Sequence, residues 1–147
     1  MVEQRDIAGR TVQWARLRFD KHSDERGCLV ALENEGGLPF SPQRVYYICS
    51  VPSREIRRGF HSHLGLRQVL VCPQGSVKVL VDNGLDKEII SLDDPSKGLY
   101  IGPLVWREMY DFSSDAVLLV IASEKYDPCD YIQDYEQFLN LCETRRK

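Results

Sequence analysis

Apolar residues alternate with polar ones over short stretches through most of the chain, and Gly, Pro, Asn and Asp interrupt the alternation at intervals of about ten residues. This rhythm predicts strands over 11–17, 28–32, 43–51, 58–63, 67–73, 76–81, 87–91, 98–101, 105–108 and 116–123. Cys72-Pro73-Gln74-Gly75-Ser76 and Val81-Asp82-Asn83-Gly84-Leu85 each join two apolar runs and read as hairpin turns. Asn-Gly tolerates positive φ at both central positions of a tight turn. Strands in succession without helices between them predict an all-β chain, folded as a sandwich or small barrel.

The period changes only near the end. Asp127 as a cap, Pro128 in the first turn and Asp130 three residues after the cap predict a helix that starts there. Tyr131, Ile132, Tyr135, Phe138, Leu139 and Cys142 recur at three- and four-residue spacings and form one apolar stripe, facing the sheet or a partner subunit.

Composition narrows the class. With 147 residues, 43% hydrophobic and 28% charged, the chain suits a single domain over 1–147. No apolar run approaches the roughly 18 to 20 residues of a membrane span, so no membrane association is expected. The first residues lack a secretory signal, so the cytoplasm is the expected compartment. Cys28, Cys49, Cys72, Cys129 and Cys142 are odd in number with no C-x-x-C pair, and read as reduced thiols. A net charge of −3 offers no global attraction for nucleic acid, so any anionic ligand must be held by a local cluster.

The segment Arg57-Arg58-Gly59-Phe60-His61-Ser62-His63 is the densest in candidate chemistry. Side chains two apart on a strand share a face about 6.5 Å apart, so His61 and His63 form either a metal half-site or a pair that moves protons near neutral pH. H-x-H on a strand, then Gln68, then Gly98 through Trp106 has the outline of the two cupin motifs. A metal-binding cupin needs a Glu where Gln68 stands and a His in the later motif, where Arg107 is the available side chain. Amide and guanidinium are poor metal ligands, so no metal and no cofactor are expected, and the histidines turn to acid–base work. Arg44, Arg54, Arg57, Arg58 and Arg67 offer guanidinium groups for phosphate, with Arg44 on the adjacent strand and Arg58, three residues before His61, the better candidate for the site. Tyr46, Tyr100, Trp106 and Tyr110 offer aromatic surface for a nucleotide sugar. Alternation puts only one of Tyr46 and Tyr47 inside, and Arg44 and Tyr46 share a face.

Taken as a set, Arg44-Val45-Tyr46-Tyr47-Ile48, Arg58-Gly59-Phe60-His61-Ser62-His63, Gln68-Val69-Leu70-Val71-Cys72, Gly98 through Pro103 and Val105-Trp106-Arg107-Glu108-Met109 resemble the cupin-type dTDP-4-keto-6-deoxy-D-glucose 3,4-ketoisomerases, the WxcM-like group. The resemblance runs from about Asp24 to Phe138. It implies an all-β jelly-roll barrel with a C-terminal helix, acting without metal on a dTDP-linked 4-keto-6-deoxyhexose. It also implies a homodimer that exchanges N-terminal strands. On that resemblance His61 and His63 are the catalytic pair, with Arg26, Arg44, Tyr46, Arg58, Gln68 and Trp106 as substrate-binding candidates. Ser62 stands where many members have Ala, and Arg107 where some have His. Asp24-Glu25-Arg26-Gly27 looks more like the members that form the galacto product, and the product would lead to a 3-amino-3,6-dideoxyhexose. An epimerase beside the same ketone, a metal-dependent oxygenase and a noncatalytic sugar-binding cupin remain open on the sequence.

Overall fold

The structure, a computed structural model, describes residues 13–147. Residues 11 and 12 of the first expected strand lie outside the described residues. The strands are β1 (Trp14–Arg18), β2 (Lys21–Asp24), β3 (Gly27–Val30), β4 (Glu33–Asn34), β5 (Gly37–Leu38), β6 (Arg44–Cys49), β7 (Arg58–His63), β8 (Gln68–Gln74), β9 (Val77–Asp82), β10 (Lys87–Leu92), β11 (Lys97–Ile101), β12 (Trp106–Tyr110), β13 (Val117–Ala122) and β14 (Tyr131–Ile132), followed by helix α1 (Tyr135–Arg146).

Alternation along the strands becomes two faces. One sheet has the order β1-β11-β8-β13-β6 and the other β10-β9-β12-β7-β14, each antiparallel throughout. Their inner faces meet over Leu70, Val79, Val81, Leu99, Ile101, Met109, Leu118 and Val120, all buried in one cluster. This is the jelly-roll barrel of the cupin-like proteins. The outer face of the first sheet is covered by Leu38 and Phe40, which meet Ala15, Leu17, Val69 and Val71. The outer face of the second carries α1, with Phe138 and Cys142 buried against Trp106, Leu104 and Ile132. No helix among the described residues is long and apolar enough to cross a membrane.

Three expectations change. The segment around Gly75 is an arch between sheets and not a hairpin, because β8 and β9 lie in different sheets. The Asn83-Gly84 turn does join a paired hairpin, β9 to β10, but through residues 83–86, and of Asn83 and Gly84 only Gly84 has positive φ, at 90°. Asn83 works through its side chain, whose Oδ1 accepts from the amides of Leu85 and Asp86.

The helix also starts later than expected. Asp127 accepts from the Cys129 amide, yet caps only a 3-10 turn over Pro128–Asp130. The chain there is taken by the β7–β8 turn: the Leu64 amide donates to the Asp130 carbonyl at 2.9 Å, and Tyr131 and Ile132 pair with His63 and Ser62. A second cap, Asp134, accepts from the Gln137 amide and starts α1. The single predicted stripe is therefore divided, with Tyr131 and Ile132 on a strand and Phe138 and Cys142 on the helix.

Candidate active site

The register of β7 against β12 places the histidines. Arg107 opposes His61 and also Val81 of β9, a residue of the inner cluster, so both His61 and Arg107 point into the barrel. Glu108 opposes Gly59, which leaves Phe60 without a partner in the ladder, a bulge with Phe60 at φ 55°. Gly59 sits at φ 96°, and a Cβ there would lie 2.8 Å from the Arg107 carbonyl oxygen, so the bulge requires glycine. Beyond it, alternation carries His61 and His63 inward and Ser62 outward.

The two imidazoles meet edge to face, with ring centroids 4.9 Å apart. The Tyr131 ring lies against both, 4.5 Å from His63 and 5.2 Å from His61. His63 Nδ1 is 3.0 Å from Asp130 Oδ2, and the other carboxylate oxygen accepts from the Gly65 amide at 2.8 Å. The carboxylate selects the tautomer with the proton on Nδ1 and leaves Nε2 of His63 as an acceptor. Neither Nε2 of His61 nor Nε2 of His63 has a hydrogen-bond partner among the described residues.

Arg107 is the buried cation of the site, 1% exposed. Its Nη2 donates to the Val105 carbonyl at 2.9 Å and its Nη1 to Gln68 Oε1, while Nε is without a partner among the described residues. Gln68 in turn donates from Nε2 to the Tyr46 hydroxyl at 3.3 Å. Burial first, then the Arg107 charge, pulls His61 down to about 4. Burial first, then the Arg107 charge, with smaller effects of His61 and Arg44, holds His63 below its ordinary value. Burial lowers Arg107 to about 10, still a cation at neutral pH. The site therefore presents two neutral imidazoles beside one positive charge, an arrangement for accepting a proton while stabilising an anion.

The expected substrate residues divide. Arg44 and Tyr46 share the inner face of β6 as alternation requires, and the Arg44 guanidinium lies 4.7 Å from the Tyr46 ring and 5.1 Å from that of Tyr126. Arg44 and Tyr126 border a recess of about 490 Å³ that Asp130 also lines. Gln68 is in the site, but its amide is engaged by Arg107 and Tyr46. Arg58 opposes Met109, which by register returns it to the face of His61, and its side chain is exposed.

Two residues are not brought together with the histidines. Trp106 precedes the inward Arg107, so it faces outward, where it packs on Tyr135 and Phe138 of α1 and donates to Glu108 at 3.0 Å. Arg26 stands at the exposed β2–β3 turn, paired with Asp24 at 2.6 Å. The remaining arginines disperse: Arg54 pairs with Asp111, Arg57 with Glu108 and the Tyr110 ring, and Arg67 lies over Phe40. Tyr100 is buried in the outer cluster with Leu17.

Asp130 and Tyr131 are not among the site residues the sequence points to, and Arg107 enters there only as a side chain unfit to hold a metal and as a position where some relatives have His. Asp130 carries a helix-cap signal in sequence, and nothing local marks its pairing with a residue 67 positions away. Arg107 does carry a signal: it alternates with Trp106 on one strand, so one of the two must face inward.

The family model described as "FdtA: WxcM-like, C-terminal" matches residues 12–143. A TDP-4-oxo-6-deoxy-alpha-D-glucose-3,4-oxoisomerase from Aneurinibacillus thermoaerophilus is 52% identical over 122 residues, which are 83% of this chain and 87% of that protein. A mutant of the 3,4-ketoisomerase QdtA from Thermoanaerobacterium thermosaccharolyticum, solved in complex with TDP-4-keto-6-deoxyglucose, superposes with a TM-score of 0.88 at 47% identity, covering 90% of this chain and 96% of that one. The TDP-quinovose 3,4-ketoisomerase WlaRB from Campylobacter jejuni gives a TM-score of 0.82 at 43% identity, covering 86% and 97% of the two chains. A family match over residues 12–143, joined to a relative of 52% identity, places this chain in the WxcM-like FdtA family.

Proposed function

We propose that this chain is a nucleotide-sugar isomerase, a 3,4-ketoisomerase that converts TDP-4-keto-6-deoxyglucose to a TDP-3-keto-6-deoxyhexose. The observation that carries this reading is the His61–His63 pair, neutral and with both Nε2 atoms unpartnered among the described residues, beside the buried Arg107 cation. The family relatives supply the substrate class.

The ketone at C4 acidifies the proton on C3. His61 accepts that proton, the electrons pass to the C4 oxygen, and an enediolate forms beside Arg107. Burial first, then the Arg107 charge, holds the imidazole at about 4, a weak base in the free protein; the enediolate that forms beside the imidazolium supplies a negative charge that offsets both. His61 then returns the proton to C4. His63, with its acceptor Nε2, carries the hydroxyl proton from the C3 oxygen to the C4 oxygen. The electrons move within the sugar, so the reaction needs no redox cofactor. A metal cation beside the Arg107 charge would meet repulsion where a ligand set would have to attract it. Arg44, Arg58 and Tyr46 bind the diphosphate and sugar near the mouth of the barrel.

The finer reading is a galacto-configured product, later aminated to a 3-amino-3,6-dideoxyhexose, made by a homodimer that exchanges N-terminal strands in the cytoplasm. Supporting the dimer, the β2–β3 hairpin is exposed up to the half-buried Val30, and Leu29, Val45 and Tyr47 are 60%, 58% and 66% exposed. Exchange would carry Arg26 from its own barrel toward the partner. A gluco-configured product is the second reading, favoured by the 43% identity to the TDP-quinovose enzyme WlaRB.

Light scattering reads the oligomer, and NMR of the product after coupling to an aminotransferase reads the C4 configuration. Turnover and solvent deuterium uptake at C3 and C4 in His61→Asn and His63→Asn test the roles. His61→Asn should abolish exchange at carbon, and near-normal exchange in that variant would place the base elsewhere.

A further inference from the structure

Gln68 lies at the start of β8 with 2% of its surface exposed, and both ends of its amide are engaged. Arginine has N–H donors and no acceptor. The side of the amide that faces Arg107 must therefore be oxygen, and the side that faces Tyr46 must be the NH₂ group. A phenol has one proton and two lone pairs. Its oxygen already accepts from Gln68, so the Tyr46 proton cannot be spent on Gln68 and is available to another acceptor. The Tyr46 ring is half-buried on the inner side of β6, where it packs against the barrel core and under Arg44. Burial raises the phenol above its ordinary value, which keeps the proton on the oxygen through neutral pH.

We propose that Gln68 is a positioning residue: held by Arg107, it turns the Tyr46 hydroxyl so that the phenol donates its proton to an oxygen of the bound sugar, and does not itself touch the ligand. The chain Arg107 to Gln68 to Tyr46 passes the polarisation of a buried cation to a neutral donor, where negative charge develops on the enediolate oxygens. This inference rests on the isomerase reading above.

Gln68→Glu is the informative substitution, because it keeps the shape and gives Arg107 a carboxylate acceptor. Tyr46 then faces an acceptor-only group and donates to it, so its proton turns away from the ligand. The expected result is a fall in kcat of about 100-fold, with KM changed by less than about threefold. In a Tyr46→Phe background the same change should lower kcat by less than about threefold, since its effect runs through the phenol. Gln68→Met, which cannot orient the phenol, should show the same pattern with a loss of about tenfold, and it stands in should Gln68→Glu not fold.

Retention of kcat in Gln68→Glu within about threefold would overturn the proposal, and so would an undiminished loss in the Phe background, which would mean that the new charge acts on the histidines. If wild-type protein leaves the ketone at C4, the isomerase reading fails and takes this inference with it. If wild type isomerises the sugar and Gln68→Glu does so equally well, only the inference fails.

Discussion

The carboxylate of Asp130 sits 3.0 Å from Nδ1 of His63, and its second oxygen holds the Gly65 amide two residues further along. One side chain, delivered by the segment before α1, thus sets both the tautomer of a site histidine and the turn that follows it. Asp130→Asn offers an NH₂ group in place of an oxygen, and an amide turned toward the ring would move the histidine proton to Nε2. Turnover should fall at least about tenfold, and ¹⁵N spectra of labelled histidine should show His63 changing tautomer. Loss of turnover with the Nδ1–H form intact would reduce Asp130 to a turn residue.

The pH dependence follows from the histidines. Both are held below the ordinary value of 6.5, His61 at about 4, so the base is already neutral in mildly acidic solution. The acid limb of kcat/KM for the free enzyme should lie near pH 4 to 5 and not near 6.5. An acid limb at 6.5 or above would show that the base is solvated.

Stability carries the same sign. Between the unfolded value of 6.5 and the folded value of about 4, the unfolded chain takes up protons at His61 that the folded chain refuses. The contribution is complete above pH 6.5 and is lost as pH falls toward 4, with a limiting slope of about 1.4 kcal/mol per pH unit for the one group. His61→Asn should flatten the denaturation midpoint over that interval, and an unchanged slope would assign the acid sensitivity to other groups.

Ser62 shares its strand with the histidines but faces the other way, opposite Ile132, with its hydroxyl buried and unpartnered among the described residues. Ser62→Ala removes a polar atom that forms no bond there, so the protein should gain about 1 kcal/mol in chemical denaturation with turnover unchanged. A loss of stability would mean that the hydroxyl is bonded in solution.

Gly59→Ala forces a side chain into the left-handed region at φ 96° and against the Arg107 carbonyl. Denaturation should show a loss of about 1 to 3 kcal/mol, and turnover should drop because the displaced backbone belongs to Arg107. Full stability in this variant would deny the bulge its role in aiming His61.

Where alternation ran through half-buried strands, the sequence carried the fold openly: β6 to β13 were visible as apolar runs with turn residues between them. The β2 strand Lys21-His22-Ser23-Asp24 leaves no pattern in the sequence because it is exposed on both faces and buries nothing. The histidine pair was legible, since a two-residue spacing on a strand dictates a shared face. Trp106 offers aromatic surface in the later motif but faces α1, and the inward place on that strand belongs to Arg107. Asp130 and Tyr131 were hidden for a different reason. Their role depends on β14 crossing to the end of β7, a contact between distant segments that no local spacing encodes.

The most direct test of the account is to incubate wild-type protein with TDP-4-keto-6-deoxyglucose in D₂O and locate the ketone and the deuterium by NMR. A ketone moved to C3 is the predicted result, with deuterium at C4 to the extent that the His61 imidazolium exchanges with solvent before it returns its proton. A ketone still at C4, whether beside an inverted C3 or in unchanged substrate, would contradict it.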